Sequence, residues 1–403
     1  MNLATYFRRK NLYPEAVEEL KKALKLDPNF GIAMNSLAYN YADMGDFDKA
    51  IESFKRYASF SPGDANPFDS MADLYFKMGR LEEAVAKYKE ALEIKPDFGA
   101  ERWITYIYAI KGDYSEAMKW VDKFIAVAPS PGLKAQGYLG GAFYRGFLGQ
   151  VDQAIKDLQK AEELWQADGN LYGISVSSIV KGMIYYDIDE FKLSREYYKK
   201  YFDFNFEHQP QYSRKNKLDS FIIEGLIATN EGKVASAKLK LEEAKSLLPE
   251  SSKEYPGWAA MQKFTCDLLH AEILLTENSV EKAIEVMENA SPLEVPAMSP
   301  PSIVRLNIPL NQDVLARAYL KKGELDKAIA AYEDLIHFNP DSKDRRAVHP
   351  KYHYSIARLY EQKGWKGKAI EHYEKFLALW KDADPGIAEI EDARKRLAGL
   401  KRQ

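Results

Sequence analysis

Gly45-Asp46-Phe47-Asp48-Lys49-Ala50-Ile51 recurs as Gly79-Arg80-Leu81-Glu82-Glu83-Ala84-Val85 and again as Gly112-Asp113-Tyr114-Ser115-Glu116-Ala117-Met118, with the alanines 34 and then 33 residues apart. A fixed period of this length marks a stack of similar units, each packed mainly on its neighbours. Pro28, Pro62, Pro96 and Pro129 keep the same beat, each twelve residues after its alanine. A proline there ends the second helix of the unit, because it lacks the N–H that the next helical turn requires.

Extended in both directions, the register places anchors at Ala16, Ala50, Ala84, Ala117, Ala154, Ser194, Ala237, Ala283, Ala328 and Ala369, with the later spacings stretching to 37, 40, 43, 46, 45 and 41. Five residues before most anchors stands a glycine (Gly45, Gly79, Gly112, Gly149, Gly232, Gly323, Gly364), suited to a tight turn between helices. Aromatic residues recur nine before the anchor and small residues twelve before it, as in Tyr41 with Ala38 and Tyr360 with Ala357. Two antiparallel helices approach closely only where small side chains meet and large ones fill the gaps around them. Replacing Ala50 or Ala84 with leucine should overpack the crossing by about 1–3 kcal/mol.

Leu37-Ala38-Tyr39-Asn40-Tyr41 with Gly45, Ala50, Phe54 and Pro62, and Met71-Ala72 with Tyr75, Gly79, Ala84, Tyr88, Ala91 and Pro96, resemble the tetratricopeptide repeat (TPR) pattern. The resemblance covers nearly the whole chain. It weakens in the middle, where Ser194 replaces the alanine and Asp189 and Asn278 replace the turn glycine. It implies an all-α fold, a right-handed superhelical solenoid of about ten TPR-like helix-turn-helix units with a C-terminal capping helix. Residues 1–129 form regular units, the first truncated; 130–302 form longer, divergent units; 303–403 hold the C-terminal units and the cap.

In this family the first helix of each unit lines a concave groove, and residues one turn apart face the ligand. Carried over, the register nominates Asn35 and Tyr39, Asp69 and Asp73, Arg102 and Tyr106, Leu139 and Phe143, Ile179 and Met183, Ile222 and Leu226, Asp313 and Arg317, and Tyr354 and Arg358. Such a groove has an apolar middle for anchors and polar ends that set direction. Asp69 and Asp73 put negative charge where capture of a terminal carboxylate requires amide or cationic groups, so that mode of recognition is disfavoured. The same positions carry an alternative reading as helix–helix core.

Two insertions break the beat, Asp203-Phe204-Asn205-Phe206-Glu207-His208-Gln209-Pro210 and Ser291-Pro292-Leu293-Glu294-Val295-Pro296-Ala297-Met298-Ser299-Pro300-Pro301. They read as loops, or as longer helices followed by loops. Their roles are a spacer that adjusts the pitch or a binding loop on one face. Near the C-terminus, Asp384 is an expected N-cap, with Pro385 just inside and Ile387, Ile390, Leu397 and Leu400 on a charged helix. The first unit starts almost mid-helix, with Leu3, Ala4 and Phe7 already in register. That start fits a fragment of a longer chain, or an uncapped end that makes a contact, self-association included.

Composition narrows the function. Fifty-seven Lys and Arg against sixty Asp and Glu give a formal charge of −3 over 403 residues. No cationic surplus exists to neutralise a phosphate backbone, so nucleic acid is not an expected partner. No apolar run approaches the roughly 20 residues that span a bilayer. The start lacks the apolar core of a secretion signal, so no membrane partner and a cytoplasmic location are expected. Cys266 is the single cysteine, which rules out an intrachain disulfide.

Nothing assembles into a catalytic centre. His349-Pro350-Lys351-Tyr352-His353 has histidines four apart but no evident third ligand. Gly137-Tyr138-Leu139-Gly140-Gly141-Ala142-Phe143-Tyr144-Arg145-Gly146 lacks the strand and Lys-Ser or Lys-Thr of a phosphate loop, and close helix packing accounts for it. Glu82-Glu83, Glu162-Glu163 and Glu242-Glu243 alternate with lysines as solvated faces do. No cofactor, no metal and no enzymatic activity are therefore expected. The leading expectation is a scaffold or adaptor that binds a protein or peptide segment in its groove. The alternative is a regulatory or sensor module of a larger bacterial kinase or transcription regulator, since Ile356-Ala357-Arg358-Leu359-Tyr360 onward resembles repeat regions that follow such domains.

Overall fold

The computed structural model describes residues 2–290, 304, 307, 311–342 and 344–402. Among these the chain is built of α-helices, most joined by short turns and one pair of neighbours by the longer connection 337–350, without a strand. The helices fall into successive pairs. These are α1 (Asn2–Arg9) and α2 (Tyr13–Leu26), α3 (Gly31–Asp43) and α4 (Phe47–Phe60), and α5 (Asn66–Lys77) and α6 (Leu81–Ile94). Next come α7 (Glu101–Ile110) and α8 (Tyr114–Val127), α9 (Pro131–Phe147) and α10 (Val151–Ala167), and α11 (Leu171–Asp187) and α12 (Phe191–His208). Then follow α13 (Ser213–Asn230) and α14 (Val234–Glu254), and α15 (Ala259–Thr276) and α16 (Val280–Glu288). The last are α17 (Val314–Lys322) and α18 (Leu325–Ile336), and α19 (Lys351–Gln362) and α20 (Lys366–Leu379), after which comes α21 (Ala388–Arg402).

Every anchor from Ala16 to Ala369 is fully buried at 0% exposure, Ser194 included. Ser194 fits because its hydroxyl donates to the Gly182 carbonyl at 2.9 Å, which satisfies the one polar group it adds. Five residues before each anchor the backbone is left-handed. Seven glycines hold φ between +70° and +86° there, and Asn11, Asp189 and Asn278 hold +59° to +61° at the same position. Asn and Asp are the side chains that tolerate this region best, so the turn survives without glycine. Small residues twelve before the anchor admit large partners: a Cβ on Gly182 would stand 2.9 Å from the Tyr198 ring, and one on Gly225 would stand 2.5 Å from Leu269.

From α9 to α15 the stretched period is helix elongation, whereas α16 to α20 return to 9–14 residues and the 337–350 connection carries the added length between α18 and α19. Helices of 8–14 residues in the first four pairs give way to 17 or 18 in α9 to α13 and 21 in α14. The first insertion extends α12 to His208 and then makes a short 3-10 turn, Pro210–Tyr212. The proline-rich stretch from Ser291 to Pro301 lies outside the described residues. α21 starts at Ala388, not at Asp384. Gly386 at φ +89° interrupts the helix, and Asp384 is instead bonded to a distant turn. Its buried face uses Ile390, Ala393 and Leu400.

Packing divides the chain into two units, one of residues 1–107 with 340–342 and one of 108–339 with 343–403. In the first, Ala4, Val17, Leu20, Met34, Leu37 and Tyr57 form a continuous core between neighbouring pairs. The second unit closes on itself. The Val348 N–H donates to the Ala109 carbonyl at 3.3 Å, and the Tyr114 hydroxyl donates to the Val348 carbonyl at 2.6 Å. The Trp380 indole N–H donates to the Phe147 carbonyl at 3.0 Å. The Asp384 N–H donates to the Gly149 carbonyl, and the Asp384 carboxylate accepts from the Asp152 N–H, both at 2.9 Å. The last helix pair is thereby fastened onto the turns that follow α7 and α9.

Candidate functional site

The sixteen nominated groove residues separate into three groups. Tyr106, Leu139, Phe143, Ile179, Met183, Ile222 and Leu226 are at most 6% exposed, which corrects the expectation of an apolar middle open to a ligand. They are core. Tyr106 stands beside Phe76 with ring centroids 6.4 Å apart, and Phe143 packs on Phe147, itself covered by the His349 ring at 4.7 Å. Ile179 and Ile222 line a small cavity of about 50 Å³ with Tyr198, Phe202, Trp258 and Met261, and Lys215, Asp219 and Gln262 also border it. The physical reason is that the long first helices press together, α9 on α11 and α13 on α15, so an apolar side chain there is removed from water by a neighbour.

Polar positions stay near solvent, since burying an unpaired charge is costly. In the first unit Tyr39, Asp69, Asp73 and Arg102 come together, with Asn35 on the same helix as Tyr39. Asp73 accepts from the Tyr88 hydroxyl at 2.6 Å and from the Tyr39 hydroxyl at 3.3 Å. Burial and the neighbouring Asp73 charge push Asp69 up to about 7, against the opposing pull of Arg102. Burial also raises Asp73, opposed by the two tyrosine hydrogen bonds. Both carboxyls are therefore harder to ionise than a solvated aspartate, which reduces the negative field of the pair.

In the second unit Asp313, Arg317 and Arg358 line a cleft of about 500 Å³, with Tyr332, Glu361 and Arg396. Tyr354 borders Arg358, whose guanidinium lies 5.7 Å from the tyrosine ring centroid. Two of the three arginines are engaged. Arg317 is clamped between Glu272 and Asp313, the latter at 2.9 Å, and Arg396 donates to Asp392 at 2.6 Å and to Glu361 at 3.1 Å. Those carboxylates raise both guanidinium pKa values further. Arg358 is exposed and makes no hydrogen bond or ion pair within the described residues. The cleft therefore presents one uncommitted guanidinium, held between two fixed ion-pair networks.

Register alone missed Arg396 and Glu361. The signal for Arg396 is its spacing from Asp392, four apart on α21, which orients both toward one face. The two histidines once paired by spacing go separate ways. His349 Nε2 sits 3.3 Å from the Asp187 carboxylate, whereas His353 Nδ1 meets His372 Nδ1 at 3.1 Å. Asp187 also faces Lys351, whose ammonium donates to the Asp187 carbonyl at 2.9 Å. Burial alone would raise Asp187, but His349 and Lys351 hold its carboxyl below the usual range. No group of three or more His, Cys, Asp or Glu side chains able to hold a metal ion occurs among the described residues. No helix among them is long and apolar enough to cross a membrane.

A family model described as a tetratricopeptide repeat matches residues 1–65 and 314–386, and a second, described as a TPR repeat, matches 72–98. No curated protein matches the sequence. Among solved structures, a tetratricopeptide repeat protein from Parabacteroides merdae is 18% identical, with 61% of this chain and 91% of that one covered at a TM-score of 0.44. Yeast Tom70 is 15% identical, with 100% and 95% covered at 0.41. MamA is 24% identical, with 42% and 98% covered at 0.34. At such scores these likenesses carry no functional argument.

Proposed function

This chain belongs to the tetratricopeptide repeat family, and on that premise we propose that it is a non-enzymatic cytoplasmic scaffold that holds a partner's peptide segment on the face formed by α17, α19 and α21. Protein interaction is the general role of such repeats. The finer reading rests on one observation, the exposed Arg358, which makes no hydrogen bond or ion pair among the described residues, in a cleft of about 500 Å³. Asp313, Arg317 and Tyr354 flank it, and Asn35, Tyr39, Asp69, Asp73 and Arg102 offer a second polar surface in the first unit. A guanidinium in this setting binds a carboxylate by paired hydrogen bonds, and each charge-assisted bond contributes about 1.5–3 kcal/mol.

The test is selection of peptides by the intact chain from a displayed random library, followed by affinity measurement on Arg358→Glu. Selected peptides should carry a carboxylate and weaken on Arg358→Glu by about tenfold or more. Lys327→Glu, an exposed change on α18, should leave them unaffected. Peptides that bind Arg358→Glu as well as the parent chain would overturn the assignment.

A further inference from the structure

A different groove lies in the first unit, between α2 and α4, and α3 provides its floor. It is a cleft of about 490 Å³. Lys21 and Lys25 rise from one wall and Lys49 and Arg56 from the other, over Met34, Leu37 and Tyr41; a single carboxylate, Glu52, lines it. With Glu18 and Asp46 paired to Lys21 and Lys49, the groove still keeps Lys25 and Arg56 as unmatched cations against Glu52, on a chain whose overall charge is −3. All four cations are exposed.

Their present partners are weak. Lys25 makes no hydrogen bond or ion pair within the described residues, and Arg56 has only a 3.5 Å contact to the Pro28 carbonyl and lies 5.8 Å from the Phe60 ring centroid. Lys21 and Lys49 pair with Glu18 and Asp46 three residues away on or beside their own helices, at 3.0 and 2.6 Å. Exposed pairs of that kind contribute about 0–1 kcal/mol and exchange readily for another carboxylate. The floor is apolar: Met34 and Leu37 are buried and Tyr41 is half-buried, with the Lys49 ammonium 5.6 Å from its ring centroid.

We propose that this groove is a second binding site, and that its occupant is an acidic segment of a partner protein in which glutamates or aspartates flank an apolar side chain. Cations one turn apart on a helix are spaced about 5–6 Å. Alternate side chains of an extended chain are about 6.6 Å apart, which lets successive acidic residues reach successive cations on one wall. The central apolar side chain rests on Met34, Leu37 and Tyr41. The site is independent of the Arg358 cleft and of the groove residues nominated by the repeat register.

Fluorescence anisotropy with the full chain tests it. The probe is a fluorescein-labelled peptide with two glutamates on each side of one leucine, compared with its glutamine counterpart, a serine-phosphorylated counterpart and a single-stranded RNA. The glutamate peptide should bind, weaken with added salt, and lose about tenfold or more in affinity on the double change Lys25→Glu with Arg56→Glu. Circular dichroism should show the double variant folded as the parent chain, since both side chains are exposed. Repeated on the Arg358→Glu chain, where the C-terminal cleft no longer contributes, the same loss on Lys25→Glu with Arg56→Glu should remain, so a failure here is separable from a failure of that cleft. Equal binding of the glutamine peptide, tighter binding of the RNA or the phosphopeptide, or an unaffected double variant would each overturn the proposal.

Discussion

Lowering the pH from 7.5 to 5.5 should destabilise the second unit through His353. Its ring is 1% exposed, and its Nδ1 lies 3.1 Å from Nδ1 of His372, so one nitrogen donates and the other accepts. Two protonated rings cannot occupy that geometry. Burial, with Lys375 and His372 adding repulsion, pushes His353 down to about 3, and burial lowers His372 as well. In the unfolded chain His353 takes up a proton near 6.5, whereas in the folded chain it stays neutral well below that. The stabilisation is therefore complete above 6.5 and is lost progressively as the pH falls toward the folded value. At pH 5.5 the loss from this one group is about 1 kcal/mol, and at pH 7.5 it is negligible. Urea unfolding followed by tryptophan fluorescence at both pH values, on the parent chain and on His353→Asn, isolates the effect. The asparagine keeps an amide to meet His372 but does not titrate, so the variant should lose about 1 kcal/mol less between the two conditions. Equal losses in both proteins would refute the reasoning.

Two further outcomes are expected. Gly45→Asn and Gly79→Asn occupy the same left-handed repeat position, but a Cβ on Gly45 meets nothing within 4 Å, whereas one on Gly79 would stand 2.4 Å from the Pro340 carbonyl oxygen. Thermal melts should show Gly45→Asn within about 1 kcal/mol of the parent and Gly79→Asn destabilised by about 2 kcal/mol or more. Asp187→Asn removes the charge facing His349 and Lys351 and should cost the second unit about 3 kcal/mol, read as faster hydrogen exchange at the Val348 amide; unchanged exchange there would count against the closure.

The helix pairs were legible because their determinants are local. Ala50 with Gly45 and Pro62 specifies a crossing, a turn and a stop within eighteen residues, and the same set repeats along the chain. At the same turn position Asn11 carries no glycine signal, although its φ of +59° serves the same purpose. The groove was less legible. Register says which side of a helix Leu139 and Phe143 occupy, but not whether another part of the chain lands beside them. The landing contacts are remote: Tyr114 with Val348, Phe147 with Trp380 and Asp152 with Asp384 are 232 to 234 positions apart. Asp384 shows the limit plainly, since its N-cap pattern with Pro385 is sound locally and is overridden by Gly386 and by the bonds to Gly149 and Asp152. The polar nominees Asp313, Arg317, Tyr354 and Arg358 remained together because charge resists complete burial.

The fastening of Trp380 and Asp384 onto the turns at Phe147, Gly149 and Asp152 also bears on how the gene can change. An open array tolerates duplication or loss of a whole repeat, because each copy answers only to its neighbours. Between residues 150 and 380 that freedom is gone, since adding or deleting one copy would carry the clasp out of reach of its seat. Copy number in this stretch should be fixed among descendants of the chain, with variation confined to the lengths of individual helices.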